Sequence, residues 1–118
     1  MTKTALITLT EDELNTLVSI AIQRAERLDD AGSPAANDAW REVMVYEERL
    51  AMLTQSAAIT GGIARVGAVR AALAAGERQE AARLAAQYLA EDSLPPERRA
   101  AIHQVFQNTA VLLTASGF

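Results

Sequence analysis

The chain has no cysteine, a single histidine and very few aromatic residues: one tryptophan, two tyrosines and two phenylalanines among 118 positions. Without cysteine there are no disulfides and no thiolate metal sites, a composition that suits a reducing compartment. One histidine leaves only carboxylates to complete a metal site or a proton relay. No apolar run reaches the length of a membrane span. The opening "MTKTALITLTEDEL" has one lysine and a short apolar patch followed by acids, which is not the pattern of a secretory signal. The expectation is a soluble, cytoplasmic protein.

Half of the residues are hydrophobic, so one domain spanning 1–118 can bury a core without staples. Much of that fraction is alanine, which lets helices approach closely but buries little area per residue. The net charge of −4 disfavours non-specific nucleic-acid binding. Residues 1–55 hold five basic and ten acidic groups, and residues 56–118 hold six and five. The acidity therefore belongs to the first half.

Apolar spacing is helical throughout, and no segment shows convincing period-two alternation. Residues 1–9 read as an extended lead-in. Thr10, with Glu13 three residues later, forms a capping box. A first helix over 11–29 then carries Leu14, Leu17, Val18, Ala21, Ala25 and Leu28. "DDAGSP" is a turn, after which Ser33–Pro34 or Asn37 can start a second helix over 35–55. That helix has two apolar stripes: Ala39, Val43, Tyr46, Leu50 and Leu53 along one seam, and Trp40, Met44 and Ala51 beside it. Two stripes need two partners. Gly61–Gly62 reads as a hinge, followed by a third helix over 63–75 on Ile63, Val66, Val69 and Leu73 and closed by Gly76. A fourth helix over 77–91 buries Ala81, Leu84, Ala85, Tyr88 and Leu89. A fifth over 96–114 carries Ile102, Val105, Phe106, Thr109, Leu112 and Leu113. The predicted fold is all-α: a compact bundle of about five helices, made of two antiparallel hairpins and a closing C-terminal helix. "AAGERQEAARLAAQYL" resembles the turn and second helix of a tetratricopeptide-type hairpin. It has no second copy at a fixed period, so it serves as general hairpin grammar.

Arg98, four intervening residues and His103 resemble the R-x4–6-H pattern of HEPN-type ribonuclease domains, which are small all-α bundles. The resemblance implies metal-independent RNA cleavage at a dimer interface, with His103 handling protons and Arg98 stabilising phosphate. Arg99 occupies the place where that family usually has a small polar residue. Residues five apart on a helix also point about 140° away from each other. Arg99 and His103, at i and i+4, are simple helix neighbours.

Other chemistry lacks its parts. The acids of "EDE" (11–13) and "YEERL" (46–50) read as a solvated face, and no Glu-x-x-His spacing is present. Neither a nucleophile elbow nor a P-loop occurs; "TGGIARVG" lacks the lysine. No cofactor and no metal are expected. Arg65, Arg70, Arg78 and Arg83 suggest a phosphate-facing surface for a nucleic-acid-binding regulator, but few base-reading side chains accompany them. The reading taken is a non-catalytic protein that works through protein–protein interaction, as an adaptor, inhibitor or accessory regulator of bacterial or phage type, and as a homodimer. Trp40 and Met44 are the expected contact residues, because tryptophan dominates binding hot spots and methionine adapts to varied surfaces. Arg65 and Arg70 form the expected secondary basic patch.

Overall fold

A computed structural model describes the backbone of residues 8–115 and the side chains of residues 8–108. The lead-in over 1–7 and the side chains of Thr109, Leu112 and Leu113 lie outside the described residues. Five helices follow in order: α1 (Glu11–Asp30), α2 (Ala36–Leu53), α3 (Ile59–Ala74), α4 (Arg78–Leu89) and α5 (Pro96–Ala115). No strand occurs among the described residues.

Local chemistry sets most of the ends. The Glu13 amide donates to Thr10 Oγ1 at 3.1 Å, and the Thr10 amide donates to Glu13 Oε1 at 3.0 Å, closing the capping box. These bonds hold the Glu13 carboxyl below the usual carboxylate range. α1 stops where Gly32 takes φ +65°; its amide donates to Asp29, and that of Ser33 to Leu28. α3 stops the same way at Gly76, φ +78°, with the amides of Gly76 and Glu77 donating to Leu73 and Ala72. Both are Schellman ends, in which glycine accepts the left-handed backbone. α2 begins without a side-chain cap, so Asn37 lies inside the helix rather than starting it.

The third helix departs from its expected course. It begins at Ile59, not Ile63, and takes Gly61 and Gly62 into its first turns. The glycines are therefore not a hinge. α3 is the hub of the molecule: α2, α4 and α5 all pack on it, while α1 packs on α2. Its buried residues run nearly all the way around, namely Gly61, Gly62, Ala64, Arg65, Val66, Ala68, Val69, Ala71 and Ala72. A helix enclosed on three sides needs small residues on those sides, and alanine and glycine supply them. Apart from Leu53, which is exposed, and Trp40, which is half-buried, both stripes of α2 are covered from within the chain, by α1 and α3. Gly62 faces Arg98, and Leu73 and Ala74 share a cavity wall with Val105 and Asn108. α5 thus lies beside α3 and runs in the same direction.

Candidate interaction surface

The expected contact residues fall on both sides of the surface. Met44 is 8 % exposed and belongs to the core, so it is not a contact residue of the free chain. Trp40 is half-buried, packs against the core, and its Nε1 donates to the Asp29 carboxylate at the other end of the α1–α2 turn. Arg65 is not part of a surface patch. It is 6 % exposed, and four of the five N–H donors of its guanidinium are engaged. Nε and one terminal nitrogen bind both oxygens of Glu91, at 2.7 and 3.0 Å. The carbonyls of Gly61 and Thr54 take further bonds at 2.9 and 3.1 Å, and the group lies 5.6 Å from the centre of the Tyr88 ring. It fastens the α2–α3 turn to the end of α4. Arg83 is engaged with Glu80, Glu48 and Gln87. Of the four arginines Arg65, Arg70, Arg78 and Arg83, Arg70 and Arg78 are exposed and make no ion pair among the described residues.

Arg98 lays its stem across Gly62, His103 is exposed, and no hydrogen bond or ion pair joins them among the described residues. Arg99 is spent on backbone: it donates to the carbonyls of Leu94 at 3.0 Å, Leu89 at 2.7 Å and Glu91, closing the end of α4 onto the start of α5.

One acid of "YEERL" was expected in solvent and is not. Glu47 is 5 % exposed, wedged between α2 and α3. A Cβ on Gly67 would stand 1.7 Å from its Oε2, so the absence of that atom makes the space for the carboxylate. Burial raises the Glu47 pKa to about 7, against the opposing pull of Arg70. Its position was readable: 47 falls between Val43 and Leu50 on the buried seam of α2, at steps of four and three. The Tyr88 hydroxyl is buried with no hydrogen-bond partner among the described residues, and burial pushes its pKa up.

Exposed large apolar residues occur singly at Ile20 (58 %) on α1 and Val45 (39 %) on α2, and four more lie at the end of α2 and the start of α3. Met52 (66 %) and Leu53 (41 %) end α2, and Ile59 (76 %) and Ile63 (50 %) begin α3. At 3.6 residues per turn, Ile59, Ile63, Arg70 and Ala74 fall within an arc of about 60°. All four are exposed. This is the one side of α3 that α2, α4 and α5 leave open. Farther along, it deepens into a groove of about 430 Å³ between α3 and α5, lined by Arg70, Leu73, Ala74, Ala101, Gln104, Val105 and Asn108. The sequence reading assigned Ile63 to the core because it placed the helix start after the glycines. Once Ile59 is inside the helix, the i, i+4 pair points outward.

The described residues contain no group of three or more His, Cys, Asp or Glu that could hold a metal, and no helix among them is long and apolar enough to cross a membrane. What the surface offers is an apolar strip and a groove with amide and guanidinium groups at one end. No protein-family model, curated protein or solved structure matches the chain.

Proposed function

We propose that the chain is a non-catalytic protein that acts by binding another polypeptide, as an adaptor, inhibitor or accessory regulator, with the open side of α3 as its binding surface. The observation that carries this reading is the exposure of Ile59 and Ile63 on the same face of α3 as Arg70 and Ala74, which line the groove. Scattered exposed apolar residues need no explanation, but apolar residues that share one helix face with the wall of a groove offer a place for another surface to dock. The occupant is a different polypeptide rather than a second copy. α3 has no acidic residue, so two copies meeting face to face across it would set Arg70 against basic or neutral groups. A cytoplasmic setting suits the lack of cysteine.

The test is site-specific photo-crosslinking in the source cell, with the photoreactive residue at Ile63 and, as a control, at the exposed Gln23 of α1. A discrete heterologous adduct is expected at position 63 and not at 23. The captured protein, purified and titrated, should bind Ile63→Asp about tenfold more weakly than the native chain, the loss expected for part of one isoleucine side chain. No adduct, an adduct only with the chain itself, or equal affinity for Ile63→Asp would refute the reading.

A further inference from the structure

The groove has a charge pattern as well as an apolar floor, and that pattern specifies its partner. α3 contains no acid, and α5 has only Glu97. Of the arginines on these two helices, Arg65 is engaged by Glu91 and Arg99 by backbone carbonyls. Arg70 and Arg98 remain. Neither side chain makes a hydrogen bond or ion pair among the described residues. The charge of Arg70 is felt by Glu47, which is buried on the α2 side and makes no ion pair with it among the described residues.

The two arginines flank the strip. Arg98 rests on Gly62, three residues after Ile59 and four before Val66, so its stem borders the apolar end. Arg70 stands in the wall of the groove, eight residues farther along α3. At 1.5 Å per residue this separates them by about 12 Å along the helix, or roughly two turns of any helix laid alongside. Between these two levels α3 presents the exposed Ile63, and from Arg70 onward the groove wall is apolar through Leu73, Ala74, Ala101 and Val105. A helix lying between two parallel helices meets them through ridges at i, i+3 and i+4, which match the Ile59–Ile63 spacing.

We propose, building on the interaction reading above, that the α3–α5 groove holds an amphipathic helix whose apolar face covers Ile59 and Ile63 and whose two acidic side chains, about two turns apart, pair with Arg98 and Arg70. Guanidinium groups suit this task because they bind carboxylates through paired donors. The polar ends of Gln104 and Asn108 line the same groove and can accept or donate to the partner's remaining polar groups.

The probe is a fluorescein-labelled synthetic helix of about 16 residues, with leucines at helical spacing and two glutamates seven residues apart bordering them. A second peptide carries glutamine at both positions. Anisotropy titrations use the full chain and its Arg70→Gln, Arg98→Gln and Arg78→Gln variants, with circular dichroism confirming that each is folded. The glutamate peptide should bind the native chain about tenfold more tightly than the glutamine peptide. Arg70→Gln and Arg98→Gln should each narrow that ratio, with Arg78→Gln leaving it unchanged. Equal binding of the two peptides, or binding of neither, overturns the inference while leaving the crosslinking result at Ile63 to stand or fall separately. An equally tight, salt-sensitive complex with a single-stranded RNA oligonucleotide would also overturn it, because phosphate would then be what the arginines select.

Discussion

Replacing Glu47 by glutamine should make the protein more stable at pH 8 and leave it nearly unchanged at pH 5. The side chain is 5 % exposed, and its carboxyl has a pKa of about 7 against an ordinary 4.5. Burial is the cause, and Arg70 offsets only part of it. A carboxyl with a raised pKa keeps its proton in the folded state over a range where the unfolded chain has lost it. Stability then falls as pH rises from about 4.5 to about 7, at up to 1.36 kcal/mol per unit, and the penalty is fully present above that window. The total is about 3 kcal/mol, an appreciable part of the stability of a small domain. Glutamine keeps the shape of the side chain beside Gly67 and never ionises. Urea denaturation of both proteins at pH 5 and pH 8 measures the effect. The other acids titrate alike in the two proteins, so the difference isolates Glu47. If the two unfolding free energies differ by the same amount at both pH values, the carboxylate is not desolvated as the geometry implies and the reasoning fails.

Two further predictions concern α3. Gly67→Ala adds an atom where Glu47 Oε2 now lies, and should cost about 1–3 kcal/mol by overpacking, despite alanine's better helix propensity. In a Glu47→Ala background the same change should become neutral or stabilising, so a double-mutant cycle by urea denaturation must show coupling; additive effects would mean the two residues are not in contact. Arg65→Met removes the buried ion pair and leaves Glu91 and the carbonyls of Gly61 and Thr54 without their donor. About 3 kcal/mol of destabilisation is expected, toward the lower end for such pairs because Glu91 can recover water; an unchanged denaturation midpoint would contradict it.

The features legible in the sequence are those that local chemistry decides. Thr10 and Glu13 cap each other within a single turn, and Gly76 needs only its own backbone to end α3, so both could be placed without knowing the fold. Apolar spacing likewise identifies residues that share a face of a helix. It does not say which face another helix will cover. The Trp40–Met44 stripe and the Ile59–Ile63 pair look alike as patterns, yet α3 and α1 close over the first and nothing in the described chain closes over the second. Glycine has the same ambiguity. Gly61, Gly62 and Gly67 read locally as weak helix formers, but each stands where another part of the chain comes within contact: the Gln55 carbonyl, the Arg98 stem and the Glu47 carboxylate.

Charge shows why a tally by sequence segment misleads about surfaces. Arg65 and Arg70 are the same residue type five positions apart, which puts them about 140° from each other around α3. One is turned toward α4 and neutralised by Glu91; the other looks into the groove. Arg98 and Arg99 divide in the same way, the first onto Gly62 and the second onto three carbonyls. The near balance of residues 56–118 thus conceals a sorting in which Arg65 and Arg99 hold the bundle together, while Arg70 and Arg98 make no hydrogen bond or ion pair among the described residues. Arg70 and Arg98 lie beside apolar residues that the described chain leaves open, and the recognition proposed above rests on that coincidence of cation and apolar surface.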